Sequence, residues 1–299
     1  MSVASLRTAR ARTSLATASM VLPALVIFVL LLVVPVGLSF YLSLTDWDGF
    51  SANPAVVGLQ NYADLVRDGE AVRAAGVTLF IALAGTALLN TFGLGFALLV
   101  NGRSRANSFF RMVLFYPHVL SALVVGFLWS ALLGTSGVVN SFVTERGGSV
   151  LPFLSDPRWA QVTLVAVIVW AGFGVNVVLY LAGLQTVSRD LQEAATIDGA
   201  SRAQVFRHVT LPALAPVVTV NLVLSLVTLL KTYDVVVSLT GGGPAGSTQT
   251  AAYLILNSSF ANSTLGFGSA QSVVLMLITA VLALSVARLR QRSEQGVTE

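Results

Sequence analysis

Residues 193–212 read EAATIDGASRAQVFRHVTLP, a polar block that lies between two long apolar runs. Glu193 falls in the first turns of a predicted short helix, where negative charge suits the helix dipole and Ser188 supplies an N-cap. Asp198 and Gly199 follow as a turn. The block therefore predicts a short helix followed by a turn at residues 198–199.

A second short helix is predicted to begin after Ser201. Ser201 and Gln204 have the spacing of a capping box, in which each side chain bonds the other residue's backbone N–H. On this helix, one apolar face consists of Val205, Phe206 and Val209. A rigid pair of helices seated between two spans can transmit a soluble partner's movement to both spans. An amphipathic loop that lies on the lipid headgroups is the alternative interpretation.

The composition places the chain in a membrane. Of 299 residues, 55% are hydrophobic and 10% are charged, and the mean hydropathy is +0.82, whereas about a quarter of the residues of a soluble domain are charged. The chain has no cysteine, which excludes disulfides, thiolate metal sites and thiol nucleophiles. The net charge of +4 is better explained by membrane topology than by nucleic-acid binding.

Six windows are long and apolar enough to span a bilayer, which takes roughly 20 residues. We predict spans at Met20–Leu44, Ala74–Val100, Met112–Leu133, Trp159–Leu184, Pro212–Val237 and Gly266–Ala287. Trp47, just beyond the first span, fits an interfacial anchor. The sequence thus predicts an all-α polytopic membrane protein with six transmembrane helices.

The distribution of charge predicts that both termini are cytoplasmic. With that orientation, twelve of the seventeen basic residues lie inside, as the positive-inside rule requires. The basic residues left outside are Arg67, Arg73, Arg146, Arg158 and Lys231. We predict a flexible cytoplasmic head over residues 1–15, one transmembrane domain over residues 16–290 with a cytoplasmic loop at 188–211, and a cytoplasmic tail over residues 291–299.

The cytoplasmic loop resembles the signature loop of the inner-membrane permease subunits of ABC importers. The resemblance lies in the order EAA, then Gly199, then an apolar residue and Leu211-Pro212. It implies that the loop docks into a cleft of a cytoplasmic ATPase subunit. The residues implicated in this coupling are Glu193, Ala194, Ala195, Asp198, Gly199, Phe206, Leu211 and Pro212.

Two further stretches are similar to carbohydrate-uptake permeases, in the group of the larger maltose permease and the glycerol-phosphate permease. They are GLQNY at residues 58–62 and, after Tyr233-Asp234, LTGGGP at residues 239–244. The predicted outer loop consists of Gly241, Gly242, Gly243 and Pro244. Three glycines before a proline predict a non-helical bend. A structural turn and a contact with a binding protein are equally good interpretations of this loop.

The resemblance implies a MetI-like permease fold in the cytoplasmic membrane. It also implies a second, related permease, two copies of an ATPase subunit and an extracytoplasmic solute-binding protein that delivers a sugar or sugar derivative. ATP and Mg²⁺ would be used by the ATPase partner, and no cofactor would be bound by this chain. Transport would proceed by alternating access.

Polar residues inside spans mark a candidate substrate pathway, because they are costly against lipid. Asn221, Ser225, Thr228 and Thr232 form one helical stripe in the fifth span. Neutral donors and acceptors of this kind suit sugar hydroxyls. The other candidates are Asn90, Asn176 and Tyr180. Hydrogen bonding between helices is an equally good interpretation of each of these residues.

Two charged residues lie near the outer end of the same span. Lys231 and Asp234 are three residues apart, so that on a continuous helix they would share one face. We expect them to form a local ion pair.

Functions of other classes fit less well. A self-contained secondary carrier is also a polytopic bundle with intramembrane polar groups, but the loop resemblance favours the importer. An intramembrane serine protease is the other alternative, because Ser136 lies in a GxSG serine motif, yet the chain has only His118 and His208 as bases. We expect no catalytic residue and no metal site, and we find no phosphate-binding loop of the Gly-x-x-x-x-Gly-Lys-Ser/Thr type.

Overall fold

A computed structural model of the protein describes residues 21–295, and side chains over residues 21–290. The predicted head, residues 1–15, lies outside the described residues, and the predicted tail, residues 291–299, lies outside those with described side chains. Within residues 21–295 the chain is helical, with no strand beyond an isolated bridge between Thr45 and Val56. The predicted all-α class is confirmed.

The helices are numbered here in chain order. The first six are α1 Val21–Leu42, α2 Gln60–Arg67, α3 Gly69–Leu99, α4 Arg105–Val119, α5 Ala122–Leu133 and α6 Val138–Glu145. The next four are α7 Pro157–Thr186, α8 Arg189–Ile197, α9 Arg202–Ala213 and α10 Ala215–Leu230. The last three described are α11 Asp234–Leu239, α12 Ala251–Ala261 and α13 Leu265–Gln295.

Five segments of the described chain are long and apolar enough to cross a membrane. They are Val21–Leu42, Gly69–Leu99, Ala122–Glu145, Pro157–Thr186 and Leu265–Arg290. A sixth is obtained if α9 and α10, which are bent by 66° relative to each other, count as one span. The predicted number of spans agrees with this upper count.

The third predicted span, Met112–Leu133, is misplaced because it straddles a break between α4 and α5. Pro117 inside α4 lacks a backbone donor, and Leu120 has extended backbone angles (φ −73°, ψ 141°). The apolar segment that meets the length criterion instead begins at Ala122. An apolar run therefore located the region but concealed the break within it.

The fifth predicted span, Pro212–Val237, is also interrupted. The chain bends at Leu214, α10 ends at Leu230, and residues 231–233 are non-helical before α11 begins. Helix α12 was not predicted, because it is too short to register as a span.

The chain divides into two compact units. The smaller comprises residues 21–64 and 258–273, and the larger comprises Leu65–Asn257 and residues 274–295. In the smaller unit, the loop after α1 is bound to the start of α13 through Gly266 N–H, which donates to Trp47 O at 2.8 Å. The tyrosine of the GLQNY stretch, Tyr62, bonds the hydroxyl of Ser43 at 2.7 Å.

The larger unit has a core of aliphatic side chains where α3 packs along α7 and α10, and α5 packs along α11. Ile81, Leu164, Leu230 and Val236 are among its most buried members. Alanine and glycine on these helices, such as Ala82 with no exposed surface, allow the close approach that membrane helices need. This packing fixes the position of α7 and α10, which line the cavity described next.

Candidate functional site

The larger unit contains a partly open cavity of about 440 Å³. Its walls come from α7, α10 and the non-helical residues 231–233. The end of α4 contributes Pro117 and His118, and the break after α4 contributes Leu120. Most of the lining is aliphatic, which is typical of small-molecule sites with a few placed polar groups. The break between α4 and α5 and the non-helical residues 231–233 both lie inside apolar runs that were predicted as continuous spans, and both face this cavity.

The predicted stripe on the fifth span lines the cavity as a group. Its members Asn221, Ser225, Thr228 and Thr232 are joined there by Asn176 of α7. Asn176 Nδ2 donates to Ser225 Oγ at 3.0 Å, which ties α7 to α10. Helical periodicity thus placed Asn221, Ser225 and Thr228 on one wall, and the non-helical Thr232 also lines it. The role of the stripe in transport stays a prediction.

Asn221 differs from its neighbours because its carboxamide has no hydrogen-bond partner. It is 1% exposed, and neither Nδ2 nor Oδ1 is bonded to any group among the described residues. A buried polar group left unpaired costs roughly 1–3 kcal/mol. Asn221 lies in the wall of the cavity, although its two polar atoms have almost no accessible surface there.

Two predicted pathway residues do not line this cavity. Tyr180 and Asn90 are both buried, and Tyr180 Oη donates to Asn90 Oδ1 at 2.7 Å. Asn90 Nδ2 in turn donates to Thr86 O at 2.8 Å. Their geometry is that of a hydrogen bond between α3 and α7, the alternative that the sequence had left open.

The cavity also contains charged and ionisable residues that sequence reasoning had not assigned to it. Lys231, Asp234, Tyr233 and His118 all line it. The ion pair expected between Lys231 and Asp234 is wrong, because neither side chain has an ion-pair partner among residues 21–290. Their spacing suits a continuous helix, but the chain is non-helical between them.

The predicted cytoplasmic loop forms two short helices, α8 and α9, as its sequence indicates. Helix α8 ends at Ile197 with Asp198 as its C-cap, and Gly199 has φ +85°, the left-handed conformation that favours glycine. The Ser201 and Gln204 capping box is present, with Ser201 N–H donating to Gln204 Oε1 at 2.7 Å. Ser188 stands at the N-cap of α8 but makes no side-chain cap bond, so that detail of the prediction is wrong.

The surface of α8 is open to a partner. Ile197 is 85% exposed and Leu191 is 61% exposed. A surface concavity is lined by Arg189, Gln192, Glu193, Thr196 and Ile197. Exposed apolar side chains beside polar ones are typical of a docking surface.

Helix α9 connects this element directly to the cavity wall. A π-helical turn at Phe206–Thr210 is followed by Leu211 and Pro212, and the chain then bends by 66° into α10. Leu214, at the bend, is fully buried and packs in a cluster with Tyr180, Leu181 and Leu184. The exposed helices and the polar stripe are therefore parts of one continuous segment with a buried corner.

The Gly-Gly-Gly-Pro loop is bonded extensively within the chain. Gly241 and Gly242 have φ values of +59° and +83°, as a non-helical bend requires. Thr248 Oγ1 donates to Gly243 O at 2.7 Å, and Tyr253 Oη donates to Gly241 O at 2.9 Å. These bonds favour the structural-turn interpretation of the loop.

Residues that follow the glycines attach the Gly-Gly-Gly-Pro loop to the surrounding chain. Gln161 Nε2 of α7 donates to Ser247 O at 2.8 Å, and Thr250 Oγ1 donates to Thr232 O at 2.8 Å. Because Thr232 lines the cavity, this loop holds the non-helical end of the cavity wall in place.

Comparison with known proteins identifies the class. The family model described as "Binding-protein-dependent transport system inner membrane component" matches residues 89–299. A probable permease protein for starch degradation products from Thermoanaerobacterium thermosulfurigenes is 32% identical, over 91% of this chain and 92% of its own length. The trehalose/maltose permease protein of Thermococcus litoralis is 33% identical over 91% of this chain and 93% of its own length.

The sn-glycerol-3-phosphate permease protein of Agrobacterium fabrum is 31% identical over 91% of this chain and 92% of its own length. In structure, a chain of a bacterial ABC transporter for the import of alginate superposes with a TM-score of 0.82 at 22% identity, covering 96% of this chain and 98% of that chain. The latter likeness establishes the fold.

The fold and the relatives define a multi-pass permease subunit of an ABC importer, located in the inner membrane. The chain belongs to the family of inner membrane components of binding-protein-dependent transport systems.

Proposed function

We propose that this permease translocates a sugar or sugar derivative across the cytoplasmic membrane by ATP-driven alternating access. The substrates for which three relatives are named support the substrate class: starch degradation products, trehalose and maltose, and glycerol phosphate. The neutral donors and acceptors along α10 are also of the kind that sugar hydroxyls bind.

The proposed complex contains this chain, a second related permease, two copies of a cytoplasmic ATPase subunit and a solute-binding protein. ATP and Mg²⁺ act in the ATPase subunits, and this chain contributes the docking helices. The exposed apolar side chains of α8 support this assignment, because Ile197 and Leu191 would be covered by the ATPase.

The single observation that carries the proposal is the continuity of α9 with α10. Movement of α8 and α9 as the ATPase dimer closes would reach α10 through the buried corner at Leu214. Helix α10 carries Asn221, Ser225 and Thr228. A change in its position would therefore open the polar wall to one side of the membrane and then, after hydrolysis, to the other.

The proposal is tested by uptake into vesicles that contain the purified complex with its binding protein. Maltose, trehalose, a malto-oligosaccharide and glycerol phosphate serve as the first labelled probes. We expect uptake of at least one sugar that requires ATP on the cytoplasmic side and stops with a non-hydrolysable analogue. Uptake that continues without ATP, or that is confined to solutes without sugar or polyol character, would contradict the proposal.

A further inference from the structure

The loop between α1 and α2 exposes three large apolar side chains. We call residues 44–59 the cap loop. Within it, Phe50 is 85% exposed, and Val56 and Leu59 are each 71% exposed. Single exposed apolar residues are ordinary on protein surfaces. The position of these three relative to the membrane spans therefore decides whether they have a role in membrane binding.

Val56 and Leu59 are fixed at the level where α1 ends. The backbone N–H groups of Val57 and Gly58 donate to Leu44 O at 2.8 and 3.1 Å, and α1 ends two residues earlier, at Leu42. The loop thus leaves the span and returns to it. Val56 and Leu59, which flank the returning residues, therefore lie beside the end of α1.

Phe50 is fixed in the same way to the start of another span. Trp47 O accepts the N–H of Gly266 at 2.8 Å, and Leu265 lies so close to Gly49 that a Cβ there would be 2.6 Å from Leu265 Cδ1. The apolar span of α13 begins at Leu265. Both arms of the cap loop therefore lie at the ends of membrane spans.

Hydrogen bonds within the loop hold Phe50 outward. Asp48 Oδ1 accepts the N–H groups of Ser51 at 2.8 Å and Phe50 at 2.9 Å, and these bonds lower the pKa of the Asp48 carboxyl. Trp47 Nε1 donates to Ser51 O at 2.9 Å. The ring of Phe50 is thus exposed on a loop whose conformation is fixed by hydrogen bonds.

We propose that Phe50, Val56 and Leu59 insert into the interface of the lipid bilayer and anchor the end of α1. The lipid occupant follows from continuity with α1, whose most apolar window is 0% buried within the chain, and with the start of α13. At the ends of spans, aromatic and aliphatic side chains leave water and contact lipid at the headgroup boundary, where aromatic residues are enriched. The proposal does not depend on which side of the membrane the loop faces, or on the substrate.

The absence of cysteine from the chain makes a direct depth measurement possible. Phe50→Cys, Val56→Cys and Leu59→Cys would each carry a nitroxide label, in the full chain purified with its associated subunits. The vesicles contain phosphatidylethanolamine and phosphatidylglycerol. Leu31→Cys in the middle of α1, 75% exposed, is the hydrocarbon control, and Asn53→Cys, at an exposed polar position of the same loop, is the aqueous control.

We expect the ratio of oxygen accessibility to nickel-chelate accessibility to be several-fold higher at residues 50, 56 and 59 than at residue 53, and to approach that at residue 31. A ratio equal to that of Asn53→Cys would place the three side chains in water. Low accessibility to both reagents would mean that the second permease or a binding protein covers the loop. Either result overturns the proposal.

A second variant guards against perturbation by cysteine and label. Phe50→Trp adds an aromatic reporter that preserves the apolar character of the site. Its added fluorescence should be quenched in vesicles of brominated phospholipid relative to unbrominated ones. Added fluorescence that brominated lipid leaves unchanged would contradict insertion.

Discussion

Polar side chains on α10 were predictable as a group because helical periodicity reports which residues share a face. Asn221, Ser225 and Thr228 share the cavity wall for this reason. Periodicity does not report what lies opposite, so Tyr180 was grouped with them although its hydroxyl is bonded to Asn90. His118, near the end of α4, was missed because an isolated histidine gives no pattern.

Asn221→Leu should separate stability from transport. The Asn221 carboxamide is buried and has no hydrogen-bond partner among the described residues. A buried polar group left unpaired costs roughly 1–3 kcal/mol of stability, and leucine removes this cost. We expect thermal stability in detergent to be unchanged or higher while sugar uptake falls at least tenfold. Unchanged uptake and selectivity at normal protein levels would remove Asn221 from the pathway.

The matched control for Asn221→Leu is Tyr180→Phe. This change deletes the 2.7 Å bond to Asn90, and hydrogen bonds between membrane helices are worth on average about 0.6 kcal/mol. We expect a small loss of thermal stability with the order of preferred substrates unchanged. A changed substrate preference would return Tyr180 to the pathway.

Gly199→Val should uncouple ATP hydrolysis from uptake. At φ +85° an L-residue costs roughly 1–2 kcal/mol, and a β-branched one more, so the turn between α8 and α9 should deform. The measurement is the ratio of sugar transported to ATP hydrolysed. Gly147→Val is the control, because Gly147 has φ +80° and equally open surroundings. Equal coupling ratios in the two variants would contradict a docking role for the turn.

Glu193→Lys should weaken association with the ATPase, because the substitution reverses a charge in the concavity of α8. Asp190→Lys is the matched control, since Asp190 is exposed on the same helix but does not line that concavity. We expect less ATPase to co-purify with Glu193→Lys than with Asp190→Lys. Equal recovery of the ATPase would remove the assignment of Glu193.

At the scale of elements, capping and turn residues predicted α8 and α9 well, because those signals are local. The breaks at residues 120–121 and 231–233 and the bend at Leu214 were not predicted. They occur inside apolar runs, where hydropathy is uniform and tertiary packing decides the backbone. Both breaks lie on the cavity wall. The parts of the backbone that hydropathy could not predict therefore contribute to the candidate site.

The bend at Leu214 depends on a close approach of α7. A Cβ at Gly183 would lie 2.7 Å from Val217 Cγ2 and 3.0 Å from Leu214 Cδ2. Gly183→Val should displace the corner, at a cost of roughly 1–3 kcal/mol for overpacking. We expect stimulation of the ATPase by the loaded binding protein to fall severalfold while basal hydrolysis persists.

The control for the corner is Gly95→Val on α3, where a Cβ meets no other group within 4 Å. This variant carries the same change in helix propensity without overpacking. If both valine variants reduce stimulation equally, the effect belongs to helix propensity and the corner has no special role in transmission.

At the scale of the whole molecule, composition and apolar windows are sufficient to predict a polytopic helical membrane protein, because lipid restricts spanning segments to satisfied helices or closed barrels. The permease class was predicted from the resemblance of residues 58–62, 193–212 and 239–244 to known permeases, and not from composition. The orientation of the termini stays a prediction that rests on the distribution of basic residues. The division of the described chain into two compact units was not predictable, because it depends on contacts between residues distant in sequence.

The central claim is that this permease works as one part of an ATP-driven complex. The most direct measurement is mild-detergent co-purification of the tagged chain from its native membranes, with mass spectrometry to identify the subunits and their stoichiometry. The account predicts one copy of this chain, one second permease and two copies of an ATPase with a phosphate-binding loop. Repeated purification of the chain alone, while a control complex stays intact, would contradict the account and favour a self-contained carrier.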